Sequence, residues 1–170
     1  VHSRAFVANF KTSSTIPPER FKEALNSKLP EDIAVINSQE APEDFHARYA
    51  AVGKTYCYTI LNRPVRSPLY RNSTYLVKDS LDIDKMKEAS RYFVGKHDFT
   101  AFKSTGSSVK TSVRTITSLE VHKEGDLIKI YASADGFLYN MVRIIVGTLL
   151  EVGRGKIKPD TIKEIIESKD

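Results

Sequence analysis

Apolar positions along this chain recur with two spacings, every second residue and every third or fourth, and the switches between them predict strands and helices. Residues 4–10, Arg-Ala-Phe-Val-Ala-Asn-Phe, alternate as a strand does. Ser14 and Thr15 ahead of Pro17 and Pro18 make a helix start, and Phe21, Leu25 and Leu29 keep helical spacing up to Pro30. A short β-branched run covers residues 33–36, and residues 53–61, rich in Tyr, Thr and Ile, predict a stronger strand. Residues 62–72 hold Pro64 and Pro68 and predict a loop. Ile83, Met86, Ala89 and either Tyr92 or Phe93 mark an amphipathic helix, entered through Asp82 and ended near Gly95. Two strands follow, over residues 113–121 and 127–132, with residues 122–126 as the hairpin link. Gly136 breaks the pattern before a long helix over residues 137–152, and residues 159–166 predict a last short one. Helices interspersed with hairpins favour an α+β fold built on an antiparallel sheet.

The 170 residues, 41% apolar and 28% charged, suit one compact domain or two small joined ones. Lys and Arg number 26 against 21 Asp and Glu, and this net charge of +5 admits a polyanionic partner without requiring one. Cys57 is the sole cysteine, which excludes an internal disulfide and a Cys-based zinc site and points to a reducing cytoplasm. The longest apolar run, residues 144–150, is bounded by Arg143 and Glu151 and is too short to span a bilayer. No signal peptide is expected from the opening residues. Residue 1 is Val and a strand pattern follows almost at once, so the chain is expected to begin inside a folded domain. Four scattered histidines without metal-ligand spacing, and the absence of a Gly-rich phosphate loop or nucleophile elbow, remove the commonest metal and hydrolase classes.

Arg143 draws attention because its helix is apolar almost all the way round and should be buried. A guanidinium buried there requires a carboxylate partner; the alternative is that Arg143 snorkels to the surface from one edge. Gly147 lies one turn later on the same face and would admit a close neighbour. In the strand at residues 54–58, Lys54, Tyr56 and Tyr58 share one face, with Thr55 and Cys57 on the other. A ring beside a cation can stack a base while its neighbour holds phosphate, although strand tyrosines are more often simple packing residues. His46, Arg48, His97, Asp98 and Arg114 add polar groups near element ends. Ser104-Thr105-Gly106-Ser107-Ser108 with Lys110 predicts a loop, solvated or touching phosphate. On these residues alone the chain is a basic α+β domain suited to RNA.

Val1-His2, Asp44-Phe45-His46-Ala47-Arg48, Lys54-Thr55-Tyr56-Cys57-Tyr58, Gly95-Lys96-His97-Asp98-Phe99-Thr100-Ala101-Phe102, Val113-Arg114-Thr115-Ile116 and the block from Gly136 through Tyr139-Asn140-Met141-Val142-Arg143 to Gly147 resemble, in order, the bacterial tRNA pseudouridine synthase A family. The blocks cover nearly the whole chain. The resemblance implies a central antiparallel sheet flanked by helices and built as two similar α+β halves, with residues 1–50 the remainder of the first and residues 51–170 the second. It implies isomerisation of uridine to pseudouridine in the anticodon stem-loop of tRNA, without metal or cofactor, by a cytoplasmic homodimer. Tyr56 would stack on the flipped base, Arg143 would pair with the nucleophilic Asp, and Arg48, Lys54 and Arg114 would contact the RNA. The family's Asp lies in a Gly-Arg-Thr-Asp-Xaa-Gly-Val-His segment that Val1-His2 would close, so the nucleophile and a C-terminal tail are expected to be missing and this chain inactive by itself. The alternative is a structured-RNA-binding module without catalysis.

Overall fold

In the computed structural model, which describes residues 2–3, 6–106 and 109–169, every β-strand lies in the second of two units, Val1–Ala51 and Val52–Asp170. The strands are β1 (Lys54–Asn62), β2 (Tyr75–Val77), β3 (Gly95–Asp98), β4 (Val113–Glu124) and β5 (Leu127–Ala134), in the order β2-β1-β5-β4-β3. The β1–β5, β5–β4 and β4–β3 pairings are antiparallel, as an α+β reading expects, and only the edge pairing β1–β2 is parallel. Gly125, at φ 57°, turns the β4–β5 hairpin. His122, Lys123 and Glu124 therefore belong to the strand, not to the link expected at residues 122–126.

Strict alternation along β5 buries Ile128, Ile130, Ala132 and Ala134 and leaves the residues between them half-exposed. The buried face meets three helices: α2 (Ile83–Arg91), α3 (Met141–Gly153) and α4 (Thr161–Ser168), which contribute Met86, Ala89, Ile145, Leu149, Ile162 and Ile166 to the same core. The Asp82 carboxylate starts α2 by accepting the amide hydrogen of Lys85 at 3.1 Å. Gly153 lets α2 and α3 approach: a Cβ there would stand 2.8 Å from the Met86 sulfur. The opposite sheet face carries Thr55, Cys57, Tyr131 and Ser133, and remains open to water as one face of an antiparallel sheet often does.

The first unit contains a short 3-10 turn (Pro18–Arg20) running into α1 (Phe21–Asn26), which is where the Pro17-Pro18 signal placed a helix. Over residues 6–10, the described part of the strand expected at residues 4–10, no strand forms. Arg4 and Ala5 lie outside the described residues, while Phe6, Val7 and Phe10 are exposed and hold no ladder partner. A strand without a neighbour leaves its amides to water, so alternation alone does not create one. The β-branched run at residues 33–36 is likewise no strand; the Asn26 side chain pairs instead with both backbone groups of Val35, at 2.8 and 2.9 Å. Among its described residues this unit buries no side chain.

Candidate nucleic-acid interface

The start of β1 and the end of β5 lie side by side: Lys54 is opposite Ala134 and Tyr56 opposite Ala132. This register places Lys54, Tyr56 and Tyr58 on the helix-covered face together, as their alternation predicts, with Thr55 and Cys57 on the other. Tyr58 packs against the core. Tyr56 sits at the rim, 37% exposed, its ring edge-on to Phe137 with centroids 5.3 Å apart. Phe137 belongs to the segment that leaves β5 and enters α3, and α3 packs against β1.

Arg114 joins the same end of the sheet. It lies two residues from Ile116, which meets Ala134, and its guanidinium donates to the carbonyls of Thr111 and Val113 at 3.0 and 2.6 Å. Its side chain crosses Gly136, where a Cβ would come within 3.6 Å of Arg114 Nε. Asp135 anchors the crossing segment by accepting the amide hydrogen of Thr115 at 3.0 Å and donating its own to the Thr115 carbonyl at 3.1 Å. Lys54, Tyr56, Phe137 and Arg114 thus share the sheet end from which α3 departs.

Arg143 is not where the apolar pattern of its helix put it. The buried stripe of α3 is Met141, Ile145, Val146, Leu149 and Leu150, whereas Arg143 and Gly147, four residues apart on one face, are exposed. No carboxylate lies within ion-pair distance of Arg143 among the described residues, and a hydrated guanidinium requires none. Arg143 is thus no buried charge, and it takes the edge-of-helix position instead. The flanking Val142 and Ile144 are only half-buried, because a single sheet covers one side of this helix.

The start of α3 has an unexpected electrostatic character. Asn140, in the left-handed region at φ 58°, delays the helix to Met141 instead of Phe137 and makes no side-chain cap. Its amide nitrogen Nδ2 donates instead to the Ser104 hydroxyl at 3.1 Å, while the Ser104 amide donates to the Tyr139 carbonyl. The first turn contains no acidic residue and one arginine. Nothing among the described residues accepts the amide hydrogens of Val142 and Arg143. Free N–H groups, the positive end of a helix dipole and an exposed guanidinium therefore coincide, an arrangement that attracts a carboxylate or phosphate. Sequence reasoning missed this feature, and missed Phe137 as the partner of Tyr56. An Asn after an aromatic run was the one available sign of a left-handed residue.

The remaining candidates have local duties. Arg48 and His46 belong to the first unit, where the His46 ring stacks on Tyr49 at 4.2 Å and its Nδ1 accepts the amide hydrogen of Arg48 at 3.2 Å. The Arg48 guanidinium lies 6.0 Å from the Tyr49 ring centre. His97 contacts the Val94 carbonyl at 3.2 Å and sets its ring against Phe99. Asp98 accepts hydrogen bonds from the Thr100 hydroxyl and amide and pairs with Lys169, the residue just past α4, at 3.5 Å, so the His97-Asp98-Phe99 block fastens the end of that helix to the strand. Of the loop after Phe102, Ser107 and Ser108 lie outside the described residues. Lys103 within it donates to the Ser112 hydroxyl at 2.9 Å.

The Thr100 hydroxyl bond first, and then Lys169, hold the Asp98 carboxyl below its ordinary 3.8. A lowered folded-state value means that this group's stabilisation is complete above the unfolded value and disappears as pH falls through the folded one. Asp98→Asn is accordingly expected to flatten the acid limb of stability below about pH 4, read as urea midpoints from pH 7 downward. An unchanged acid limb would remove Asp98 from the pH-sensitive groups.

Among the described residues no cluster of three His, Cys, Asp or Glu side chains is placed to hold a metal ion, and no helix is long and apolar enough to cross a membrane. The family model described as tRNA pseudouridine synthase matches residues 89–170, which run from α2 through the sheet end and Arg143 to α4. The protein called tRNA pseudouridine synthase A 2 in Clostridium perfringens is 66% identical over all 170 residues, which span 70% of its length. Its namesake in Clostridium tetani is 57% identical over the same 170 residues and 68% of its length. The tRNA pseudouridine synthase A of Acetivibrio thermocellus is 56% identical over 169 residues, covering 99% of this chain and 69% of that protein. Identity of this extent, running through both units and across the aromatic and cationic sheet end, leads to one conclusion: the chain belongs to the tRNA pseudouridine synthase A family, a family of isomerases.

Proposed function

We propose that the protein of which this chain forms the described part converts uridine to pseudouridine in the anticodon stem-loop of tRNA, in the cytoplasm and as a homodimer. Residues 1–50 belong in this reading to its N-terminal α+β half and residues 51–170 to its C-terminal one. The observation that carries the proposal is the sheet end itself, where a rim tyrosine braced by Phe137 stands beside Lys54 and Arg114. A base extruded from an RNA stack loses a few kcal/mol of stacking and pairing, and a fixed aromatic ring recovers part of that loss. Phe137 supports this role because its edge-on contact restricts the Tyr56 ring before any base arrives.

Arg143 acts in this reading on the nucleophile. An Asp carboxylate supplied at the start of α3 would accept hydrogen bonds from the guanidinium and from the free amides there, which keeps it ionised and oriented for attack. The carboxylate attacks the target nucleoside, at base or ribose; the glycosidic bond breaks; the freed uracil rotates and rejoins through C5; and the bond to Asp is released while C5 loses its proton and N1 gains one. The reaction is an internal transfer and consumes no redox equivalent. Lys54 and Arg114 hold phosphate on either side, and Arg48 serves as a further contact from the first unit.

The test is pseudouridine formation on a tRNA transcript by the full-length gene product, followed by tritium release from 5-labelled uridine. Turnover is expected, and Tyr56→Ala, which removes the stacking ring, is expected to slow it by about tenfold or more, whereas Tyr56→Phe, which keeps the ring, should slow it less. A full-length protein that leaves every tRNA uridine intact sinks the proposal. Tight, salt-sensitive tRNA binding in that same protein would favour the second reading, an RNA-binding module.

A further inference from the structure

The segment between β1 and β2, residues 62–74, lies at the end of β1 remote from Tyr56. Tyr56 and Asn62 are six residues apart on one strand, or about 20 Å at the ordinary strand rise. The loop carries Arg63, Arg66 and Arg71 and no acidic residue. It is built rather than slack. Asn62 donates to the carbonyls of Val77 and Asp79 at 3.0 and 2.8 Å, closing its base. Arg63 is used internally, donating to the Val65 carbonyl at 2.7 Å and pairing with Asp126 at 3.3 Å. The Tyr70 carbonyl accepts from the amides of Ser73 and Thr74 and from the Thr74 hydroxyl, and Ser67 is buried beneath.

What this scaffold presents outward is distinctive. Leu69 is 90% exposed and Val65 67%, and Tyr70, next to Leu69, is also exposed. Arg66 and Arg71 are exposed, and among the described residues neither guanidinium donates a hydrogen bond or meets an acid. Two unspent cations, an aromatic ring and an apolar tip on a prearranged loop match single-stranded or looped RNA, whose phosphates take the cations and whose unstacked bases take the flat and apolar surfaces. Positive charge without any acid disfavours a basic chain like this one as the occupant.

We propose that residues 62–74 form a second RNA contact, which grips the tRNA about 20 Å from the base-handling end through Arg66, Arg71 and Leu69. The inference rests on the tRNA reading above. Binding of the full-length protein to a tRNA transcript and to the isolated anticodon stem-loop tests it, measured by fluorescence anisotropy over a KCl series, with circular dichroism melts confirming that each variant folds. Arg66→Glu/Arg71→Glu is expected to weaken tRNA binding at least about tenfold and to reduce the salt slope by nearly two, because each phosphate contact contributes roughly 0.7–0.9 to it. Stem-loop affinity should stay unchanged. Leu69→Ser, which keeps the charge, should weaken tRNA binding by about threefold.

If the unsubstituted protein binds tRNA and the variants bind it equally well, this inference is overturned and the functional reading survives. Equal losses on tRNA and stem-loop also overturn it, since the loop would then touch the target region. A changed sedimentation mass with intact RNA affinity would instead assign the loop to contacts between copies of the chain. An unsubstituted protein without tRNA affinity removes both proposals.

Discussion

Arg143→Ala in the full-length protein is expected to melt at the parental temperature and to form pseudouridine roughly a hundred- to a thousandfold more slowly, the usual loss when one charge-stabilising donor leaves an active site. Both halves of this result come from position. Arg143 lies on the exposed face of α3, so removing it vacates no cavity and strands no buried partner; surface changes of that kind shift stability by less than about half a kcal/mol. Arg143 belongs to the first turn of α3, whose start has free amides and no side-chain cap, so what its removal costs is the hold on an anion. Arg143→Lys keeps the charge and loses the planar fork, and its recovery of activity should be partial. Normal turnover in Arg143→Ala would end the case for this residue, whereas a large drop in melting temperature would mean that it is buried in the complete protein.

Phe93→Ala should behave in the opposite way, destabilising the second unit by about 3–5 kcal/mol, the usual cost of removing a large aromatic side chain from a closed core. Phe93 is fully buried after α2, edge-on to Phe102 at 5.1 Å, and Phe102 in turn packs against Phe99. These rings join α2, β3 and the short turn at Thr100–Phe102 beneath the sheet. A loss of that size is a large part of the roughly 5–15 kcal/mol that holds a typical domain together. Urea unfolding followed by circular dichroism measures it directly, and a midpoint close to the parental one would show that this corner is less tightly packed than its burial implies. Residual activity, corrected for the folded fraction, should be nearly normal, since the cluster touches none of the proposed RNA-binding residues.

The contrast between these two residues shows where patterning informs. Spacing put Met86, Ala89 and either Tyr92 or Phe93 on one helix face; Met86 and Ala89 of α2 are buried, and of the open pair Phe93, just past the helix, is buried with them. Along β1 and β5, alternation put Lys54, Tyr56 and Tyr58 on one side, and the register agrees residue by residue. For Arg143 the same logic left burial and an edge position open, and it is exposed, because a helix that is apolar on most sides takes its orientation from whatever covers it. Residues 4–10 alternate as well as β5 does, yet the described part of that stretch is no strand. β2 and β3 form although their three and four residues are too few to show a period; neighbouring strands supply the pairing that creates them.

Local spacing and the residue blocks determined by themselves that this is an α+β chain of one isomerase family, with Tyr56 and Arg143 as the residues to question. Period and motif order are properties of the chain read end to end, and they survive without coordinates. Tertiary structure alone decided which sheet face the helices cover, that Phe137 braces Tyr56, that Asn140 takes a left-handed conformation and leaves α3 uncapped, and that Arg143 faces outward. The reason is physical: burial, free amides and ring contacts are relations between segments distant in sequence, set by which surfaces meet, and no periodicity within one segment encodes its neighbour.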